Sequence, residues 1–436
     1  MRKPCDLEVC VSDNTKTLIT TVALCLIWTA ASAEVLSLRQ VTDMAMTNNP
    51  GIRTGLSEIQ RAEIHLSNAG RLESPSIELA HSSDRAGNDE GEESFEIAYA
   101  QQFPVTSRLK NEKKLSRLQL EMAKSELNEA RRQLAYEVEK TVVELSVATL
   151  EAQALQKHLS LNNKSVVFLE KQVDRGESSP LDHVQARITS RQLDTEIKSV
   201  EQKADRLREE LARLTGNDKP VRVNHPLDLP SRKQVAPSTT KQARERRPDY
   251  ILARLKEREA DITAAIAEGS RWADIEIALF VERESTIDEP TGLEDNTIAG
   301  ARLSWPLPFN GHYKRARALA EADQQASAIN SVALKREIAS EYREAERSLD
   351  SAFKTAMSVS KEIIPLAEEN HKKIREAYQL GQVGLLEVRA GQAQLLEVRR
   401  SELKHVAVYH QSHARYRYVT GSYSFLGEQE GTIREK

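Results

Sequence analysis

The chain is written twice. NNPGIRTGLSEIQRAEIHLSNAG at 48–70 returns as RRPDYILARLKEREADITAAIAEG at 246–269. QQFPVTSRLKNEKKL at 101–115 returns as SWPLPFNGHYKRARAL at 304–319, and ARLTG at 212–216 as YRYVTG at 416–421. The landmarks keep their order at an offset between 198 and 206. Helical sequence of low complexity resembles itself by chance, but an ordered series at a fixed period marks a duplicated structural unit. Two pauses punctuate the copies, QVDRGESSPLDHV at 172–184 and YQLGQVGLLEV at 378–388, and Gly176 and Gly381 lie 205 positions apart. The expected organisation is a first repeat at 34–216, a proline-rich polar linker at 217–240, a second repeat at 241–421 and a polar tail at 422–436.

Each copy has the same internal order. A first helix spans about 37–70, or 240–270. Two short alternating stretches follow, then a long helical hairpin, at 107–215 with its tip at 173–181, or at 311–420 with its tip at 379–386. The hairpins carry coiled-coil spacing. Leu127, Ala130, Leu134, Val138, Thr141, Leu145, Ala148, Ala152, Leu155 and Leu159 step by threes and fours, as do Tyr342, Ala345, Leu349, Ala352, Ala356, Val359, Ile363 and Leu366. Residues 108–172 would span on the order of 100 Å at 1.5 Å per residue. Pro365 should kink the second long helix, because it removes a backbone donor and clashes with the preceding turn. With 39% apolar and 29% charged residues, 17 glycines and 14 prolines, the composition suits long helices better than a loop-rich enzyme.

The alternating stretches are predicted strands at 76–83, 94–103, 274–284 and 296–304. Phe95, Ile97 and Tyr99 share one face of the second; Ile275, Ile277 and Leu279 share one face of the third. Polar loops, DRAGNDEGEE and STIDEPTGLEDN, join each pair. Four strands cannot close a barrel alone, and a lone sheet with an apolar outer face exposes its edges. Several copies of the chain closing one transmembrane barrel would satisfy both constraints. A small soluble sheet capping a helical bundle is the alternative.

TLITTVALCLIWTAASA at 17–33, with Arg2, Lys3 and Lys16 upstream, fits a signal peptide over 1–33. A short membrane anchor and lipidation at Cys25 are the other readings. Cys5, Cys10 and Cys25 all precede the expected cleavage point, so the mature chain would offer no disulfide and no thiolate ligand. The formal charge of −4 gives no basic excess for nucleic acid.

This constellation resembles the TolC family of outer-membrane efflux channels over about 37–421. The resemblance rests on the duplicated order, on NNPGIR and RRPDYI opening each half, on FPVTSRLK and PLPFNGHYK after a strand, and on the tip sequences RGESSPLDHVQAR and LGQVGLLEVRAGQAQL. It implies a mainly α homotrimer with a small β part. Each protomer would give four strands to a twelve-stranded β-barrel in outer-membrane lipid, and its helices to a periplasmic α-barrel. A periplasmic adaptor and an inner-membrane RND pump would be the partners. AGRLESPSIEL at 69–79 and SWPLPFNGHYKRARA at 304–318 are most similar to the branch serving heavy-metal cations of the cobalt–zinc–cadmium type, although QQFPVTSRLKN lacks the glycine that Gly311 supplies in the second half. The same architecture also serves drug efflux and type I protein secretion, and a soluble periplasmic coiled-coil scaffold is a third reading.

By the same resemblance, Asp182 and Glu387, six residues after Gly176 and Gly381, would form acidic rings at a periplasmic aperture. Simple complementation of the helix dipole is the alternative. Gly176, Gly381, Gly384, Leu181 and Leu386 mark the tips and the expected adaptor contact. One tip is polar and the other apolar. No Walker A motif, GxSxG or HExxH is present, so no enzyme, cofactor or metal site is expected. His410 and His413, with His405 nearby, have zinc-like spacing but lack an evident third ligand.

Overall fold

A computed structural model describes residues 36–84, 87, 92–230, 238–272, 274–288, 292–307 and 311–423. The expected leader, both polar loop tips in part and most of the expected tail lie outside the described residues. The helices are α1 (Leu38–Asn48), α2 (Pro50–Asn68), α3 (Arg108–Asp174), α4 (Pro180–Thr215), α5 (Thr240–Arg246), α6 (Pro248–Gly269), α7 (His312–Ser358), α8 (Ile364–Gln379) and α9 (Leu385–Thr420). The strands are β1 (Ser76–Ser83), β2 (Glu93–Phe103), β3 (Ile275–Asp288) and β4 (Gly292–Ser304), in one antiparallel sheet of order β1-β2-β3-β4. The fold is therefore mainly α with a single small sheet, as the sequence led one to expect.

The first helix of each repeat is broken rather than continuous. Asn49 (φ −59°, ψ 128°) and Arg247 (φ −79°, ψ 124°) are extended, and each precedes a proline that opens the next helix. The ring of Pro50 or Pro248 excludes the α conformation from the residue before it. The second strand pair is longer than its alternation suggested. Ile287 pairs with Leu293 and Thr286 with Glu294, so most of the expected loop at 285–296 belongs to the ladder.

The long helix of the second repeat contains a five-residue π turn, Val359–Ile363, directly before Pro365. Its origin is arithmetic. Helix α3 starts at Arg108 and the second long helix at His312, an offset of 204; they end at Asp174 and Gln379, an offset of 205. The second copy holds one extra residue, and a π turn is how a helix absorbs one. The seam confirms it. Leu349, Ala352, Ala356 and Val359 are buried, but Ile363 (43% exposed) and Leu366 (65%) are not, contrary to the heptad extrapolation. The packed face resumes at Ile364, Ala367, His371 and Ile374, after a step of five instead of four.

The core lies in the half of the molecule away from the tips. One cluster joins α1, α3 and α4 through Val41, Leu134, Val138, Val142, Leu145 and Leu211. The other joins α5, α7 and α9 through Ala243, Leu349, Tyr409, Tyr416 and Val419. The start of the linker is not loose: Val221 is buried in the first cluster and Val223 bridges Leu36. Nor is the start of the tail, since Tyr423 is buried with its hydroxyl on Glu139 at 3.3 Å. The aromatic ring supplies apolar area that outweighs the polar character of the segment.

Candidate functional site

The sheet has two chemically distinct faces. Strand alternation and the register put Ile77, Tyr99, Leu279 and Ala301 in one row across four strands, and Leu79, Ile97, Val281 and Ala299 in the next. Gln101, Ile277 and Leu303 form the row toward the helices, followed by Phe103 opposite Ile275. Phe95 pairs with Arg283 at the far end, where Arg283 meets Asp295 at 2.9 Å and the face turns polar. From Phe103 to Phe95 is roughly 26 Å along the strand at about 3.3 Å per residue. At a tilt of about 40° that length covers about 20 Å of height, a little less than the apolar belt of about 25 Å that a membrane barrel carries. Phe95, Ile97, Tyr99, Ile277 and Leu279 are exposed; Ile275, beside the helices, is half-buried.

The opposite face carries Glu78, Glu96, Glu276, Glu282, Glu284, Glu294 and one cation, Arg302. Among the described residues no second layer covers it, yet Ala98, Ala100 and Ala278 are only 1–2% exposed. Small residues on an uncovered sheet lose exposure in this way when the sheet curls toward them beneath longer neighbours. Arg302 crosses the strands to grip Glu96 with bonds of 2.9 and 3.0 Å, and its guanidinium lies 5.2 Å from the Phe280 ring. A Cβ on Gly300 would stand 2.6 Å from that ring, so the glycine is what lets Phe280 lie flat against the wall. Among the described residues the outer edges of β1 and β4 have no partner strand.

The two hairpin tips turn by one device. After α3 the amide of Gly176 donates to the carbonyl of Val173 (2.9 Å) and that of Glu177 to Gln172 (2.8 Å). After α8, Gly381 donates to Tyr378 (3.0 Å) and Gln382 to Ala377 (2.9 Å). Both glycines take the left-handed conformation, φ 71° and 70°, that this cap requires. Ser179 then caps α4 through the Leu181 amide, whereas α9 starts from Gly384 with no side-chain cap. Asp182 and Glu387 occupy equivalent first-turn positions, and the Glu387 carboxylate folds back to within 3.0 Å of where a Gly384 Cβ would be. Leu181 and Leu386 project into solvent, 77% and 64% exposed. The two tips belong to different hairpins, whose returning helices meet a few residues further on where Arg389 donates to Thr189 at 3.4 Å.

Buried charge joins the repeats between tip and sheet. Arg247, 3% exposed, grips Asp249 (2.6 Å) and Glu341 (2.5 Å). Burial alone would lower its pKa, but Asp249 and Glu341 more than offset this and raise it. For Asp249 burial pushes the pKa up, and Arg247 more than offsets it and holds the carboxyl down. Nearer the tips, Arg400 of α9 bonds Glu151 of α3 (2.8 Å) and Glu196 of α4 (2.7 Å), so it ties both hairpins together. Nothing in a chain this rich in charge distinguishes Arg132, Arg247 or Arg400 from surface arginines. Trp272 and Trp305, flanking β3 and β4 with rings 6.0 Å apart, carried a readable signal: aromatics at strand ends mark a membrane interface.

Among the described residues no group of three His, Cys, Asp or Glu has metal-holding geometry, and no helix is long and apolar enough to cross a membrane. His410 instead faces His225 of the linker, ring to ring at 5.8 Å, and burial pushes its pKa down to about 4.

An acid-lined, apolar-backed four-stranded sheet set on two duplicated helical hairpins is the fold of outer-membrane channel protomers. The structures of CusC (18% identity, TM-score 0.72, covering 88% of this chain and 91% of that one) and of the outer membrane protein VceC from Vibrio cholerae (16%, 0.70, 88% and 96%) share it. So does the open-state outer membrane channel MtrE from Neisseria gonorrhoeae (15%, 0.71, 88% of each). Residues 41–217, which include the whole first hairpin, match the outer membrane efflux protein family. No curated protein matches the chain in sequence.

Proposed function

We propose that this chain is one protomer of a trimeric outer-membrane efflux duct. Three sheets, joined edge to edge through β1 and β4, would form a twelve-stranded barrel in the outer membrane, and the hairpins would form a tube in the periplasm. Transport through it is passive. A periplasmic adaptor would dock on the tips, with Leu181 and Leu386 as contacts around Gly176, Gly381 and Gly384, and an inner-membrane RND-type pump would supply the energy. The single observation that carries this reading is the sheet, apolar across one face and acidic across the other with both edges unpartnered. An open sheet of that kind is costly in water and satisfied in a closed membrane barrel.

The cargo we propose is heavy-metal cations. The junction sequences at 69–79 and 304–318 support it, as does the excess of six glutamates over one arginine on the polar face. Asp182 and Glu387 are proposed to ring the closed tip. Fractionation should place the protein in outer membranes as a detergent-resistant trimer; recovery in the soluble periplasmic fraction would defeat the channel reading. A deletion strain should become sensitive to divalent metals and not to hydrophobic drugs, and the reverse pattern would reassign the cargo. In planar bilayers, Asp182→Ala/Glu387→Ala should raise conductance and reduce cation preference. Unchanged values of both would remove these two residues from the gate.

A further inference from the structure

We infer that the helix-facing end of the sheet carries a binding collar for the phosphodiester headgroups of membrane phospholipids, centred in the second repeat on Arg271 and in the first on Arg71. This rests on the reading that the apolar face meets a bilayer. Both arginines stand at the same point of the fold, just past the end of α2 or α6 and just ahead of β1 or β3, and each is followed by an exposed apolar residue, Leu72 or Trp272. The alternation that carries Leu303 outward also carries Trp305 outward, and Trp272 lies against it. The two indoles are 40% and 49% exposed. Indole rings settle at the headgroup level of a bilayer. The Arg271 guanidinium carbon lies 5.7 Å from the Trp272 ring and 5.7 Å from that of Tyr313 on α7, which places its charge at the depth of the phosphates.

The local ion pairing leaves particular cations without an acid partner. Of the acids just ahead of the strands, Asp274 pairs with Arg108 and Glu73 lies 3.8 Å from the same guanidinium, which also holds Glu112. Arg317, one turn beyond Tyr313, is held by Glu268 (3.1 Å) and Glu321 (2.8 Å). Among the described residues, no acid lies within ion-pair distance of Arg71, Arg271 or Lys113. Lys113 is exposed and is the counterpart of Arg317 at the offset of 204; its Cβ is 3.1 Å from where a Gly70 Cβ would be, next to Arg71. Each repeat therefore leaves cationic donors at the interface uncompensated. A guanidinium presents paired N–H groups that match phosphate oxygens, at a surface where phosphate is the abundant anion.

The chain after residue 33 has only two tryptophans, Trp272 and Trp305, so intrinsic fluorescence reports on the second collar directly. The full protein carrying Trp28→Phe, in mild detergent, is titrated with a phospholipid brominated high on its acyl chain. Quenching should saturate, and Arg271→Gln should raise the midpoint by about fivefold, as expected for losing one interfacial charge. Arg71→Gln should reduce the phospholipid phosphorus that copurifies with the protein. Brominated diacylglycerol, which has no phosphate, should quench wild type and Arg271→Gln alike, and millimolar inorganic phosphate should not compete. If the Gln variant does not fold, Arg271→Lys takes its place and should keep the charge effect while losing part of the affinity. Equal midpoints in wild type and variant, or full competition by inorganic phosphate, would overturn the collar while leaving the channel intact. An absence of quenching in wild type would overturn the bilayer reading and the collar with it.

Discussion

Arg132 of the first repeat donates to the backbone carbonyl of Tyr418 in the second at 2.7 Å, and its guanidinium covers the Tyr418 ring at 3.9 Å from the centroid. The side chain is fully buried and also pairs with Glu129 (2.7 Å) and Asp249 (3.4 Å). Breaking a buried pair by removing one partner leaves the other charge without compensation. Arg132→Met should therefore cost about 3 kcal/mol, read as a loss of thermal and denaturant stability. Adding Glu129→Gln should recover part of that loss. A single variant as stable as wild type would show that the network contributes nothing net.

The glycines that end the two returning helices should not be equivalent to those at the tips. Gly216 and Gly421 have φ of 65° and 63°, and a Cβ would stand 2.6 Å from the Asn48 carbonyl oxygen or 3.1 Å from that of Arg246. At Gly176 and Gly381 nothing lies within 4 Å. Gly176→Ala and Gly381→Ala should each cost about 1 kcal/mol, from the left-handed backbone alone. Gly216→Ala should cost more than about 2 kcal/mol, because backbone must move as well, with Gly421→Ala between. Melting temperatures that rank the four otherwise would contradict the packing.

The π turn makes an unusual deletion tolerable. Removing Lys361, which is exposed, would turn the step from Val359 to the next packed residue back into four, the step that Leu155 and Leu159 make in the first repeat. The deleted chain should still assemble. Removing one residue from the middle of α3, for example Lys157, would rotate everything beyond it by about 100° and should abolish assembly. Detergent-resistant oligomer on gels separates the two outcomes; failure of both deletions would mean that the π turn is not the site of the extra residue.

Acid should loosen the linker before it affects the rest. His410, on α9, packs against His225 and also feels His413 on its own helix and Asp228 on the linker; His225 itself faces Glu139 of α3 and Asp228. With the pKa of His410 pushed down to about 4 by burial, the unfolded chain binds more protons than the folded one between that value and the ordinary histidine value near 6.5. Stability is then present above about pH 6.5 and falls as pH drops toward 4, by up to roughly 3 kcal/mol. His410→Phe should flatten the profile in that window. Proteolysis within 217–230 measured against pH would check it, and susceptibility that does not rise with acid would exclude the mechanism.

What the sequence determined by itself is what repeats. Offset, strand alternation, seam spacing and capping glycines are local, so the duplicated order, the apolar faces at Phe95–Tyr99 and Ile277–Leu279 and the turns at Gly176 and Gly381 could be read from residue spacing alone. Tertiary structure decided everything that depends on phase or on partners distant in the chain. Heptad spacing carries the seam through Ile363 and Leu366, but one inserted residue shifts the packed face to Ile364 and Ala367 without disturbing local helical character. The pairing of β2 with β3, the burial of Arg132 under Tyr418 and the seating of Tyr423 on Glu139 join residues more than 170 positions apart. A periodic pattern fixes which residues share a face; which face meets which neighbour is set only when the two copies pack, because the free energy of burial depends on both surfaces at once.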